Sequence, residues 1–231
     1  MAGSVPAKPL NCPGIFRGID MKLYGFSRSS AAFRVRIALN LKGIAWEHIN
    51  ISLPDGDQFG SDYTSVNPQG RVPTLIDGDH KLIQSMAILE YLDETHPEPA
   101  FLPSEPIARA RVRGLADLIA CDIHPLNNLA VLKFLGAKMG ADKDAVNVTW
   151  YQHWIYEGFN ALEAMLADDA ATGTFCHGDT PGLADICIVP QVFNAQRYEC
   201  DLGRYPTIMR IFDACMKLDA FDSAQPSKQP D

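Results

Sequence analysis

The chain has 231 residues, of which 47% are hydrophobic and 21% charged, enough for a sizeable core in one large domain or two small ones. Its formal net charge of -8 gives no general electrostatic attraction to nucleic acid or to an acidic membrane surface, so neither is expected as a partner. No apolar run reaches the roughly 20 residues that a bilayer span requires. Residues 1–20 lack the continuous apolar stretch of a secretory signal and are expected to form a flexible extension.

The cysteines contain no Cys-x-x-Cys pair and show no spacing typical of metal ligands. They are interpreted as reduced thiols of a cytoplasmic protein, and no metal site is expected. Their positions are 12, 121, 176, 187, 200 and 215.

From residue 21 the hydrophobic pattern predicts a strand over 22–26, a helix over 29–42 and a strand over 45–51. Two further strands, over 72–76 and 80–83, are separated by an Asp-Gly-Asp turn that favours an antiparallel hairpin. Helical spacing then continues as far as Thr95, before two prolines. The predicted order is βαβ followed by ββα.

A proline-rich segment with prolines at 97, 99, 103 and 106 indicates a domain boundary near residue 104. Strand signals nearly vanish after it, so the second domain is predicted to be all helical. Pro125 falls inside the first of its helices and is expected to kink that helix near His124. The predicted helices cover 107–139, 144–166, 183–198 and 207–218.

Two helix starts in the first domain are suited to binding anions. The helix that begins at Ser29 has no carboxylate in its first turn, and the helix after Gln84 and Ser85 also begins without one. From the local sequence alone, an ordinary serine cap is the commoner explanation of either start. Between them, Val72 precedes Pro73, so Val72 has backbone groups available for strand-like pairing with a peptide-like ligand, although a plain edge strand is the commoner explanation.

These residues together resemble the zeta class of glutathione transferases, over a stretch that runs from Lys22 to the C-terminus. The resemblance implies the glutathione transferase fold, in which residues 21–104 form a thioredoxin-like domain with a mixed four-stranded sheet and residues 105–231 an all-helical substrate-binding domain. The sequence segments that carry it are Arg28–Ser30, Phe33–Leu39, Asn67–Pro68, Val72–Leu75, Gln84–Ser85, Ile123–Leu129, Ala184–Gln191 and Gln229–Asp231.

The resemblance also implies roles for individual residues. Ser29 would hydrogen-bond the sulfur of glutathione, with Ser30 as the neighbouring candidate, and Arg28 and Arg197 would hold the carboxylates of a substrate. A surface location for Arg197 would be the usual reading without the resemblance. The residues implied as further glutathione contacts are Gln58, Val72 beside a cis-Pro73, Gln84, Ser85, His124 and Asn128.

Three positions depart from the family pattern. Ala31 stands where many zeta members have a cysteine, so no protein thiol can act there. Ala130 lacks the polar side chain that relatives often present to the cofactor. Gly182 replaces a serine or threonine cap three residues before Asp185, which leaves that capping box incomplete.

The activity implied by the resemblance is glutathione-dependent cis-trans isomerisation of maleylacetoacetate, in the degradation of tyrosine and phenylalanine. A thiolate adds to the conjugated double bond, the bond rotates as a single bond, and the sulfur leaves; an unperturbed thiol pKa near 8.5 must be lowered for this, which a serine donor and a helix N-terminus can do. The alternatives are a maleylpyruvate isomerase, a general glutathione transferase and a non-catalytic binding module. A homodimer is expected from the family.

Overall fold

The computed structural model describes residues 21–230, so the extension expected over residues 1–20 lies outside the described part. Four strands form one sheet in the order β2-β1-β3-β4, with β1 parallel to β2 and antiparallel to β3, and β3 antiparallel to β4. This confirms the mixed four-stranded sheet and the predicted antiparallel hairpin of β3 and β4. The strands are β1 (Met21–Gly25), β2 (Trp46–Asn50), β3 (Thr74–Asp77) and β4 (His80–Ile83).

Three helices accompany the sheet: α1 (Ser30–Leu41), α2 (Ser61–Thr64) and α3 (Ser85–Thr95). The apolar positions of α1 and α3 recur at helical spacing, and those side chains are buried together with Leu23 and Leu75 of the sheet. Both α1 and α3 begin directly after a loop that leaves a strand. The N-termini of these helices therefore lie at strand ends, where the predicted anion-binding residues occur.

Between residues 106 and 230 the chain is helical, as predicted. Its helices are α4 (Pro106–Asp117), α5 (Leu129–Met139), α6 (His153–Ala167), α7 (Leu183–Arg197), α8 (Pro206–Cys215) and α9 (Asp219–Asp222).

The prediction of one continuous helix over 107–139 was wrong. The chain leaves α4 through a π-helical turn at Leu118–Ile123 and then forms a turn over 124–127 before α5 begins. Pro125 has no backbone N–H and its ring blocks the preceding helical turn, so the helix ends there instead of kinking. The helix predicted over 144–166 also differs, because its first part, Ala145–Gln152, is π-helical.

One buried apolar cluster extends through both halves of the described chain. Helix α7 lies at its centre, with nearly all of its length buried and with α1, α4 and α8 packed around it. The α7 N-terminus is stabilised by Asp185, whose carboxylate accepts hydrogen bonds from the Gly182 N–H at 2.8 Å and the Cys176 N–H at 2.9 Å. This confirms the half capping box expected for Gly182. A Cβ there would lie only 2.7 Å from the Phe101 carbonyl oxygen, which favours glycine.

Within residues 21–230, no helix combines the length and the apolar character needed to cross a bilayer. The same part of the chain has no group of three or more His, Cys, Asp or Glu side chains placed to hold a metal ion.

Candidate active site

The N-terminus of α1 is the centre of the candidate site. Ser29 is its N-cap, and the Ser29 Oγ accepts a hydrogen bond from the Ala32 N–H at 3.2 Å. No acidic residue lies in the first turn, so the partial positive charge of the helix end is not neutralised by the helix itself. Ser29 is partly exposed, which leaves its hydroxyl proton available to an anion outside the helix.

The neighbouring serine has a different environment. Ser30 is only 6% exposed, and its Oγ accepts a hydrogen bond from the Asn194 Nδ2 of α7 at 2.6 Å. Arg28, in contrast, is exposed, with its guanidinium 5.2 Å from the centre of the Phe26 ring. Of these three consecutive residues, Ser30 is thus the one held by the helical part of the chain.

The start of α3 is the second candidate anion site. Gln84 precedes it with a φ of 69°, a strained backbone conformation for a residue with a side chain, and its Nε2 donates to Gln69 Oε1 at 3.1 Å. Ser85, the first residue of α3, is 6% exposed and accepts a hydrogen bond from Arg34 Nη1 at 3.3 Å. Strain of this kind concentrates at ligand-binding positions, because it places the following N–H groups where the ligand needs them.

Arg34 joins these two helix starts. It belongs to α1, is 1% exposed, and has no carboxylate within ion-pair distance in the part of the chain that the structure describes. Its Nε and Nη2 are buried with no hydrogen-bond partner. A buried cation without a counterion is unfavourable, so this environment is suited to an anion that arrives with a ligand.

The segment before β3 presents free backbone to the same region. The peptide bond between Val72 and Pro73 is cis, as the resemblance implies. The Val72 N–H and C=O bond to no other residue between 21 and 230, whereas the Arg71 carbonyl is held by Tyr63 Oη at 2.6 Å and Asn67 Nδ2 at 2.8 Å. These two bonds fix the chain just before Val72, and leave its amide free to pair with an extended peptide.

Gln58 lies in a 3₁₀ turn over Asp57–Phe59 and is 5% exposed. Its Oε1 is buried without a hydrogen-bond partner, which makes it an acceptor available to a ligand donor.

His124 lies directly after the π-helical turn. Burial, and then the positive charges of Arg34 and Arg71, lower the pKa of His124 to about 3. The ring is therefore neutral at pH 7 and has both a donor and an acceptor nitrogen. Asn128 is the N-cap of α5, and its Oδ1 accepts from the Ala130 N–H at 3.0 Å, so its side chain is held by its own helix while its Nδ2 can still donate to a ligand.

Arg197 is the last residue of α7 and is exposed. Its guanidinium lies 5.5 Å from the centre of the Tyr198 ring, and Tyr198 stacks on Tyr151 with ring centres 3.5 Å apart. Its guanidinium therefore has solvent access and contacts an aromatic ring that is held in place. Arg197 follows Asn194 by three residues on the same helix, so it is linked to the start of α1 through the bond to Ser30.

Two features of the site could not be predicted from the sequence. No local pattern indicates a role for Asn194, because its partner Ser30 is 164 residues away. Arg34 and Arg36 both lie in the first two turns of α1, but their environments differ. The Arg36 guanidinium donates to the carbonyls of Phe26, Ser27 and Ala224, and burial lowers its pKa to about 9. Arg36 thus holds the loop before α1 in place, whereas Arg34 is the buried positive charge available to a ligand.

Comparison with known proteins gives consistent matches. Residues 19–94 match the family model described as the N-terminal domain of glutathione S-transferases. A probable maleylacetoacetate isomerase of Vibrio cholerae is 46% identical over 215 residues, which are 92% of this chain and 99% of that protein.

Solved structures agree. A maleyl pyruvate isomerase described as a bacterial glutathione S-transferase of the zeta class has a TM-score of 0.89 at 47% identity, over 91% of this chain and 99% of the other. A maleylacetoacetate isomerase from Methylobacterium extorquens, solved with malonate and glutathione bound, has a TM-score of 0.88 at 45% identity, over 90% and 98% of the two chains.

With such identity over nine-tenths of its length, the chain belongs to the glutathione S-transferase family. Within that family its relatives are the zeta-class enzymes, which confirms both the resemblance drawn from the sequence and the glutathione transferase fold.

Proposed function

We propose that this protein is a glutathione-dependent cis-trans isomerase of maleylacetoacetate. The observation that carries the proposal is the set of unsatisfied groups between α1, α3 and the segment before β3: a helix N-terminus without acids, a buried Arg34 without a counterion, and a free Val72 amide. A tripeptide with a backbone, a thiol and a γ-glutamyl carboxylate has the groups that complement them. The residues present therefore fit glutathione.

The candidate residues divide between three parts of that ligand. Val72, beside cis-Pro73, would pair with the tripeptide backbone. The α3 N-terminus, with Gln84 and Ser85 and with Arg34 behind them, would hold the γ-glutamyl carboxylate. The residues assigned to its remaining polar groups are Gln58, His124 and Asn128, of which His124 is neutral and so can donate to or accept from the ligand without adding charge.

Bound glutathione supplies a thiolate that adds reversibly to the conjugated double bond, so that the bond can rotate before the sulfur leaves. Ser29 acts as a hydrogen-bond donor to the sulfur, and the α1 N-terminus favours its anionic form. No base is required of the serine. Arg28 and Arg197 hold the carboxylates of the diacid and stabilise the negative charge that develops on its carbonyl oxygen. Both are exposed cations in a chain of net charge -8.

A second substrate, maleylpyruvate, is favoured by the similarity to the maleyl pyruvate isomerase structure. The two are separated by assaying purified protein with each diacid, with and without glutathione, and following the loss of the diene absorbance. We expect turnover of maleylacetoacetate to require glutathione. Faster conversion of maleylpyruvate would assign the second activity, and conversion at the same rate after dialysis of glutathione would exclude both.

Arg197→Ala is the sharpest variant for the mechanism. The substitution removes one proposed ion pair with a substrate carboxylate and leaves the proposed glutathione-binding residues unchanged. We therefore expect kcat/KM to fall about a hundredfold while the glutathione Kd stays within twofold. Arg204→Ala is the matched control, because Arg204 is also an exposed arginine over tyrosine rings, those of Tyr156 and Tyr205; its activity should be close to wild type. Full activity of Arg197→Ala would remove Arg197 from the mechanism.

Calorimetric titration with glutathione tests the binding-module and transferase alternatives. Absence of heat or competition at millimolar glutathione would favour a non-catalytic module, whereas binding with conjugation of electrophiles and no isomerisation would favour a general transferase.

We also propose a cytoplasmic homodimer. The cysteines of the described chain are free thiols, which suits a reducing compartment.

The proposed dimer is supported by exposed apolar side chains. Phe59 and Ile107 expose 71% and 78% of their surface, and large apolar side chains at such exposure suit burial against a second copy. Light scattering should give twice the chain mass of 25.4 kDa.

A further inference from the structure

The hydrogen bond between Asn194 and Ser30 connects the two halves of the chain at the candidate sulfur site. Asn194 lies on α7 and is 7% exposed, Ser30 begins α1 and is 6% exposed, and the Nδ2 to Oγ distance is 2.6 Å. Two buried polar side chains at this distance form a bond that is costly to break, because either partner would be left unsatisfied.

The bond sets the direction of the Ser30 hydroxyl. Because Asn194 donates, it occupies a lone pair of Oγ and leaves the hydroxyl proton to be donated elsewhere. No acceptor for that proton occurs among residues 21–230. Side chains at the start of a helix point back towards its N-terminus, which here is the position of the proposed thiolate. A hydroxyl that already accepts one hydrogen bond is also a better donor of the next.

We propose that Asn194 is a positioning residue of the thiolate site: by donating to Ser30 Oγ it orients the Ser30 hydroxyl as a second donor to the sulfur, beside Ser29. This rests on the proposed function, since it assumes that the sulfur of glutathione lies at the start of α1. Ser29 and Ser30 then have equivalent bonding, with each Oγ accepting from the protein and each proton free for the ligand.

The same contact fixes the separation of the two reacting partners. Asn194 and Arg197 are three residues apart on α7, so they lie about one helical turn apart and on neighbouring surface positions. Holding Asn194 against the start of α1 therefore holds Arg197 relative to the sulfur. The separation is fixed by one turn of a buried helix instead of by a flexible loop.

The experiment is a double-mutant cycle of Asn194→Ala and Ser30→Ala, with the thiolate absorbance of bound glutathione followed against pH. We expect each single variant to raise the pKa of the bound thiol by about one unit and to lower kcat/KM about tenfold at pH 7. If Asn194 acts through Ser30, adding Asn194→Ala to Ser30→Ala changes kcat/KM less than twofold and shifts the pKa of the bound thiol by less than about 0.3 units. Gln196→Ala, at an exposed position on the same helix, is the control and should leave both unchanged.

The outcomes separate this proposal from a structural role and from the proposed function. A bond that only holds α1 to α7 would lower the unfolding midpoint in Asn194→Ala and leave the thiol pKa as in the wild type, which would overturn the proposal. Equal effects of Asn194→Ala in both backgrounds would overturn it as well. If Asn194→Ala does not fold, Ser30→Ala alone decides: a thiol pKa equal to that of the wild type in this variant would overturn the proposal. Failure of the proposed function is recognised by a different result, because the wild-type protein would then bind no glutathione.

Discussion

Arg34 presents a conflict between stability and function at the scale of one side chain. Its guanidinium is 1% exposed and has one side-chain hydrogen bond, to Ser85, with two nitrogens left unpartnered. Such a group weakens the ligand-free fold, because its lost hydration is not replaced. The carboxylate proposed to bind at the adjacent α3 N-terminus would supply the missing counterion.

We therefore expect Arg34→Met to weaken glutathione binding about tenfold or more, while the unfolding midpoint of the ligand-free protein stays the same or rises. Calorimetry and thermal unfolding measure the two quantities on the same sample, and Arg204→Met serves as the exposed control. A variant that loses stability while binding glutathione normally would contradict this role of Arg34.

His124 makes stability depend on pH. Its pKa is about 3 in the folded protein and about 6.5 when unfolded, so below pH 6.5 the unfolded chain binds a proton that the folded chain does not. The contribution of the buried, neutral His124 ring to the free energy of unfolding is fully present above pH 6.5 and is lost as the pH falls towards 3. Between pH 7 and pH 5 the free energy of unfolding should fall by up to about 2 kcal/mol more in the wild type than in His124→Gln. Urea unfolding at the two pH values measures the difference, and parallel losses in both proteins would count against it.

At the scale of elements, Arg36 connects the loop that carries Ser29 to the C-terminal segment. Its guanidinium donates to the carbonyl oxygens of Ser27 at 2.8 Å and Phe26 at 3.4 Å in that loop, and of Ala224 at 2.9 Å beyond α9. The loop before α1 is thus positioned by a segment nearly 200 residues further along the chain. A planar fork of donors is required to reach three carbonyls at once.

Arg36→Lys keeps the charge but loses the fork, so the single ammonium group cannot replace the donors to both the Ser27 and the Ala224 carbonyls. We expect it to lower the free energy of unfolding by about 2–4 kcal/mol in urea titrations. Arg204→Lys, at an exposed position, should change stability by less than about 0.5 kcal/mol. A similarly small effect of Arg36→Lys would show that the connection is not important for the fold.

At the scale of the whole molecule, the two parts share one apolar core, centred on α7. A proline-rich linker predicts two domains near residue 104, but a shared core predicts one cooperative unit. Trp46 lies in β2, whereas Trp150 and Trp154 lie in the helical part. The unfolding of each half can therefore be followed separately by tryptophan fluorescence.

In a variant with Trp150 and Trp154 replaced by Phe, the Trp46 fluorescence and the far-UV circular dichroism should give the same urea midpoint. The first reports on the sheet and the second mainly on the helices. Because both are measured on one protein, any destabilisation by the substitutions affects them equally. Two separate midpoints would show that the parts unfold independently.

The sequence by itself determined the positions of the four strands along the chain, the hairpin, the helical second half and the family, because those follow from local periodicity, turn composition and contiguous motifs. It placed Ser29, Val72 and Ser85 at the candidate site for the same reason. Only the tertiary structure decided the end of the helix at Pro125, the close approach of the Phe101 carbonyl that favours glycine at position 182, and the different environments of Arg34 and Arg36. It also decided the contact of Asn194 with Ser30. Partners 164 residues apart leave no periodic signal, since packing brings them together only after both helices have formed.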